Sequence, residues 1–354
     1  MYVLLIGMFK IVSEQNKRVK EVRENKTVDI VERKGVITAD KVHLRYYPAD
    51  NPIAIFNPSI IIEDKEATIY GRIILGYFTY ASAIAEFKIP MDDIQNGLLT
   101  GVHYTAEITV IPDNKYDLWG VEDPRVYIIE GGRYMSYCGR TVNYFNPSTR
   151  ADRTLPVTAV LRDGKWEKIC VFRLKGEYRN FLISDKDAFL ANIGGLRVFH
   201  RPHMMNEKFY LVVSRVPEEA LKHEGLREVP VYDTALVFER ATFENRIGWG
   251  APPIKVGDEY LFLLHGIERE MESYRVFAVL MNEEMEVTAV TPHYIMEPKA
   301  NYEVYGDRPF VVFPCGAQLM DNEIIISYGA ADSSIGIGSI NLDQLLAILD
   351  SNRL

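Results

Sequence analysis

The densest cluster of chemistry-bearing side chains in this chain is Trp119-Gly120-Val121-Glu122-Asp123-Pro124-Arg125, a pair of acids followed by a proline and an arginine beside an aromatic ring. A carboxyl group in such a setting can work as a general acid. On an extended chain successive side chains point to opposite faces, so only one of Glu122 and Asp123 is expected in a given pocket, the other pairing with an arginine. The Trp, Gly and Pro around them suggest an aromatic-lined platform on which a sugar ring could stack.

Other chemistries are disfavoured. There is no glycine-rich phosphate loop, HExxH or GxSxG, and no cysteine lies in a metal-ligand spacing, so no metal or organic cofactor is expected. What remains is acid catalysis on a polar, uncharged substrate, with arginines available to grip an anion such as phosphate bidentately. The 354 residues carry 40 Lys+Arg against 49 Asp+Glu, a net charge of −9 that argues against nucleic acid as a partner. Cys138, Cys170 and Cys315 sit among apolar or small residues and read as buried free thiols of a reducing compartment. The apolar start MYVLLIGMF has no basic region before it and no cleavage site after it, and no stretch approaches the roughly 20 apolar residues of a membrane span. A cytoplasmic protein without membrane attachment is expected.

Short Val/Ile/Tyr/Phe runs cut by Gly, Pro and Asp/Asn predict a mostly β chain. Helical spacing occurs only at 185–193, 217–225 and 341–350, the last with Asn341 as a cap. Five segments share one shape, a proline, two apolar strands around a polar turn and a closing polar residue: Pro58 to Arg72, Pro124 to Arg140, Pro202 to Arg215, Pro253 to His265 and Pro314 to Tyr328. One hairpin per 50–80 residues leaves room for two further strands each, which is the arithmetic of a five-bladed β-propeller with a few peripheral helices. Residues 51–354 would form that domain and its C-terminal helix, with residues 1–50 an extension packed on or near it. Equivalence of the hairpins would bring Asn57, Asp123, Arg201, Arg72, Arg140, Arg215 and His265 onto one axial cavity.

The runs GVEDPR (120–125), GAPPI (250–254), LLHG (263–266), YRVFAVL (274–280) and VVFPCGA to NLDQLL (311–346) resemble glycoside hydrolase family 130, largely β-mannoside phosphorylases on a five-bladed propeller. The resemblance spans roughly residues 50–350. It implies that Asp123 is the general acid, delivering its proton through a mannose hydroxyl while phosphate attacks the anomeric carbon from the opposite face with inversion. Phosphate would be bound by Arg140, Arg153, Lys186 and His265. Sugar would be bound by Asn57, Arg72, Glu122, Arg201, His203, Asp307 and Tyr328. The chain departs from the family in a longer 141–152 loop and in Arg201-Pro202-His203, where members commonly carry Phe-Pro.

The expected partners are thus a small oligosaccharide and inorganic phosphate, with α-mannose 1-phosphate as product. A homo-oligomer is compatible with helices at the chain ends. The alternatives are a β-mannosidase on the same fold, using water, and a non-catalytic glycan-binding propeller. Acceptor sugar and linkage, β-1,2 or β-1,4, are set by variable loops and stay open.

Overall fold

The computed structural model describes residues 8–76, 78 and 80–354, so most of the apolar MYVLLIGMF start lies outside the described residues. Five small, mostly antiparallel sheets surround one axis as a five-bladed β-propeller. The strands nearest the axis are Ile55–Glu63, Val121–Ile129, Leu182–Asn192, Glu244–Trp249 and Val312–Met320, in blades 1 to 5. Most of these strands are buried on both faces, which is why they read as continuous apolar runs rather than alternating ones.

That double burial explains where the reading from periodicity fails. Residues 185–193 do not form a helix but belong to the inner strand of blade 3, Leu182–Asn192, in which Phe189 and Leu190 are both buried. A strand covered on both faces has no period of two, so periodicity cannot distinguish it from a buried helix. The missed strand also puts the third hairpin out of phase. Pro202 to Arg215 joins the second and third strands of blade 3, and Arg215 ends up on the outer part of the sheet near Asp233. Residues 217–225 hold only one 3-10 turn, Glu218–Leu221, which follows Pro217. The C-terminal helix forms as Leu342–Asp350, with Asn341 accepting the Gln344 N–H at 3.0 Å and Leu345 and Leu349 buried.

The N-terminal segment runs around the rim of the propeller. Val12 and Lys10 exchange backbone hydrogen bonds with Leu236, on the outer strand of blade 3. Glu24, Val28 and Ile30 donate to carbonyls of Pro292, Tyr294 and Ile295, which follow the last strand of blade 4. Residues Glu32–Ile37 then form the outer strand of blade 5, beside Ser334–Asn341. Val42–Leu44 finally adds a parallel strand to the edge of blade 1, against Tyr104–Val110. Strands from the N-terminal segment and from the C-terminal part of the chain therefore share the sheet of blade 5, which closes the ring.

The strap is pinned by charge. Arg23 Nη1 sits 2.6 Å from Glu244 Oε1, with both side chains at 1% exposure or less, and the guanidinium lies 3.6 Å over the Phe277 ring. Glu244 belongs to the inner strand of blade 4, and Tyr294 also donates to it at 2.7 Å. Arg23→Met should leave that carboxylate buried without a countercharge, beside only the Tyr294 hydroxyl and the Ala241 N–H, and lower the urea midpoint by an amount equivalent to about 3–5 kcal/mol. A midpoint within experimental error of wild type would show the strap to be dispensable.

Candidate active site

A cavity of about 590 Å³ opens on the axis, and Asn57, Glu122, Asp123 and Asp187 from the inner strands of blades 1 to 3 line it. The expectation that Glu122 and Asp123 face opposite ways is overturned, since both line the cavity. Asp123 adopts φ 52° at a bulge between Glu122 and Arg125, so the strict alternation of the strand fails there. The same device recurs at Asn57 (φ 47°) and Asp187 (φ 57°), each beside a register shift in its own inner strand. At these bulges Phe56 with Asn57, and Lys186 with Asp187, also line the cavity in consecutive pairs.

The two neighbouring acids have different environments. Glu122 is 1% exposed. It accepts Arg140 Nε at 2.7 Å, Arg72 Nη2 at 3.1 Å and Lys186 Nζ at 3.1 Å. Burial alone would raise its pKa, but Arg72, Lys186 and Arg140 hold it well below the usual carboxylate range, and Glu122 in turn keeps Lys186 charged despite burial. Glu122 is therefore a fixed anion, unfit to donate a proton. Asp123 takes both of its contacts on one oxygen: Asn57 Nδ2 lies 2.7 Å and Arg72 Nη1 3.0 Å from Oδ1. Its Oδ2 is the oxygen that can carry a proton.

A second charge cluster lies next to it. Arg201 Nε donates to Asp187 Oδ2, and Arg125 Nη2 lies 3.6 Å from Oδ1. Burial pushes Asp187 upward, yet Arg201, His265 and Arg125 bring it down to about 2. His265 sits wholly buried 3.7 Å from Asp187, and burial moves its pKa down to about 3, so at neutral pH the ring is uncharged. Gly248 makes room for this cluster, because a Cβ there would come within 2.3 Å of Asp187 Oδ2 and 2.4 Å of His265 Cε1. Gly329 does the same for Asn57, whose Oδ1 would lie 1.7 Å from a Cβ at that position.

Of the residues named from the sequence, Asn57, Arg72, Glu122, Asp123, Arg140, Lys186, Arg201, His203 and Asp307 line the cavity. Three do not. Arg153 donates to the carbonyls of Tyr144, Asn146 and Thr149 and so ties the 141–152 loop to itself. Tyr328 is buried and donates to Glu303 at 2.7 Å. His265 lies behind Asp187 rather than on the cavity wall, between the rings of Tyr274 and Phe313.

The cavity adds residues that the sequence reading did not place. Arg246 and Arg308 bring the lining cations to six, with Arg72, Arg140, Lys186 and Arg201, against the carboxylates of Glu122, Asp123, Asp187, Asp307 and Asp332. Arg246 Nη2 donates to Tyr274 Oη at 3.0 Å, and Arg308 lies 4.5 Å over the same ring. Tyr80, Tyr144 and Phe145 form an aromatic rim, with Tyr80 and Tyr144 stacked at 5.9 Å and Tyr80 donating to Asp307 at 2.6 Å. His203 stacks on Phe209 at 4.1 Å, and burial with Arg201, Arg246 and Arg150 takes it down to about 4. The bulge pattern was a usable signal for Asp187, since Phe-Asn-Pro, Glu-Asp-Pro and Lys-Asp-Ala align at residues 56–58, 122–124 and 186–188. Arg246 and Arg308 carried no such mark.

Known proteins resemble this chain over most of its length. A β-1,2-mannobiose phosphorylase of Listeria innocua is 34% identical over 282 residues, covering 77% of this chain and 71% of that one. A β-1,2-mannobiose phosphorylase of a Thermoanaerobacter species is 26% identical over 306 residues, covering 82% and 91%. The solved structure of β-1,2-mannobiose phosphorylase from Listeria innocua with β-1,2-mannobiose superimposes with a TM-score of 0.68 at 19% identity, over 91% of this chain and 99% of that one. The profile of glycoside hydrolase family 130, described as beta-1,4-mannooligosaccharide phosphorylase, matches residues 21–351, and the protein belongs to that family of mannoside phosphorylases.

Proposed function

We propose that the protein cleaves a β-mannosidic linkage with inorganic phosphate, inverting the anomeric centre to give α-mannose 1-phosphate and a shortened acceptor. The observation that carries this reading is the division of labour between adjacent acids. Glu122 is neutralised by cations from three blades, while Asp123 keeps one oxygen for a proton.

The mannose ring would sit against Asn57, Arg72, Asp123 and Asp332, where blades 1, 2 and 5 meet. Phosphate would sit toward Arg140, Lys186 and Arg201, on blades 2 and 3. In the displacement a phosphate oxygen forms the new bond to the anomeric carbon as the glycosidic bond breaks, and the leaving oxygen takes the Asp123 proton, relayed by a mannose hydroxyl. A single displacement inverts, so a β-linked substrate gives an α-phosphate. Because the nucleophile is already an anion, one carboxyl group suffices where an inverting hydrolase needs two. The two cited relatives favour a β-1,2 linkage and the family description a β-1,4 linkage, so both belong in the assay. Keeping the bond energy in a sugar phosphate has value inside a cell, which supports a cytoplasmic enzyme.

Mannose 1-phosphate should appear from β-1,2- or β-1,4-mannobiose only when phosphate is present. Free mannose released at the same rate without phosphate would show a hydrolase, and binding without turnover a lectin-like propeller. Asp123→Asn should lower kcat by about 10²–10⁴-fold with substrate binding retained. Lys186→Gln should raise the KM for phosphate by about tenfold or more, the loss of one charge-assisted contact.

Asp332 gives a pH signature. Burial raises its pKa to about 6, with Asp123 pushing the same way and Arg72 and Arg308 opposing. A native pKa above the unfolded value means the stability it contributes is full below about pH 4 and is lost as pH rises through 6. Asp332→Asn should therefore gain thermal stability over wild type at pH 8 but not at pH 4, by at most about 3 kcal/mol and less where cavity water screens the charge. Equal shifts at both pH values would remove Asp332 from this role.

A further inference from the structure

Blade 3 contains a polar chain that none of the chemistry above uses. Asp185 Oδ2 lies 2.7 Å from His200 Nδ1, His200 Nε2 lies 2.8 Å from Ser214 Oγ, and Ser214 Oγ lies 2.7 Å from Thr234 Oγ1. The four residues stand on the four strands of the blade in order from the axis outward, Leu182–Asn192, Leu196–Met204, Val212–Arg215 and Tyr232–Leu236. Asp185, His200 and Ser214 are 2%, 1% and 0% exposed. The order Asp, His, Ser matches a nucleophilic triad, but Ser214 is closed off from solvent and from the cavity lining, and its hydroxyl is engaged by His200 on one side and Thr234 on the other. A substrate carbonyl has no approach to it.

The two inner members adjoin the anion site. Asp185 precedes Lys186 and His200 precedes Arg201, and Lys186 and Arg201 are directly paired across the two strands. Like charges at such a pair repel. They are kept apart by acids from different places, Glu122 holding Lys186 and Asp187 holding Arg201. The inner strand is bulged between Lys186 and Phe189, so the backbone ladder alone does not fix its phase at this point. The relay crosses the blade beside that gap. Thr154, opposite Arg140 in blade 2, donates to the Asp185 carbonyl at 3.2 Å, and Trp249 of blade 4 donates to the His200 carbonyl at 3.2 Å.

We propose that Asp185, His200, Ser214 and Thr234 are positioning residues for the anion site, setting the spacing of Lys186 and Arg201 through a hydrogen-bonded relay anchored at the outer edge of blade 3. The proposal rests on the phosphorylase reading above. None of the four touches the cavity, so they act through the strands that carry the two cations.

The test is steady-state kinetics with phosphate and mannobiose varied separately, on Ser214→Ala and on Thr234→Val, whose site is only half-buried and far from the fold's centre. Each should raise the KM for phosphate, Ser214→Ala by about tenfold, with the KM for the mannoside within twofold, and Thr234→Ser should return the phosphate KM to the wild-type value. If Ser214→Ala does not fold, the Thr234 pair carries the test. A phosphate KM unchanged in Thr234→Val, or both KM values raised equally, would overturn the relay while leaving the phosphorylase intact. Wild-type enzyme that forms free mannose without consuming phosphate would overturn the functional reading instead, and the relay with it.

Discussion

Glu122 is the constraint on which the centre of this molecule depends. A carboxylate taken almost wholly out of water costs several kcal/mol unless opposite charge and hydrogen bonds repay it. Repayment here comes from Arg72 in blade 1, Arg140 in blade 2 and Lys186 in blade 3. Three blades are thus tied to a single acid, and none of the four groups can shift without exposing an uncompensated charge. Arg125 extends the lattice to blade 4, donating to the Gly250 and Trp249 carbonyls at 2.6 and 3.0 Å while facing Asp187. Rigidity at the axis follows from electrostatics more than from apolar packing, which in a propeller fills the space between blades.

The acids and cations can crowd together this way because of one backbone device used three times. A regular strand would send alternate side chains into the neighbouring blade and offer the cavity one group per two residues. A left-handed residue at a bulge, Asn57, Asp123 or Asp187, sends two consecutive side chains inward. Asn and Asp tolerate that conformation better than most residues, which is why these positions are not occupied by larger side chains. The geometry therefore selects the chemistry, since the residue types best able to hold the bulge are also a carboxyl group with one oxygen engaged, a hydrogen-bonding amide and an anchor for arginine.

The repeat was legible because three of its inner strands carry a proline at the bulge, Pro58, Pro124 and Pro314, and the acid was legible because Glu-Asp-Pro-Arg is dense and distinctive. The inner strand of blade 3 was hidden because Ala188 stands where a proline marks blades 1 and 2, and because its outer half, Ala188 to Ala191, is apolar and buried on both faces. The N-terminal strap was hidden for a different reason. It donates single strands and isolated hydrogen bonds to four blades, with partners as distant as Ser339 for Glu32, and such non-local pairing leaves no local pattern. Arg246 and Arg308 are ordinary strand and loop arginines until the closed ring brings them to the same tyrosine.

Three residues assigned to ligands act one layer out, His265 behind Asp187 and Tyr328 and Arg153 behind the cavity wall, and the partners of the last two tie them to the site. Tyr328 and Arg33 both bind Glu303, the latter with Nε at 3.1 Å, and Glu303 caps the turn that leads into Asp307 and Arg308. Arg33 lies on the strap strand that closes blade 5, so ring closure and the Asp307–Arg308 wall of the cavity are coupled through one carboxylate. Arg153 does the equivalent work for the aromatic rim that adjoins Asp307, holding the carbonyls of the loop that presents Tyr144 and Phe145. A loop held by one guanidinium on three carbonyls keeps its shape while its outward side chains change. That rim is in turn tied to the axis, because the Arg140 guanidinium that holds Glu122 lies 4.6 Å over the Tyr144 ring.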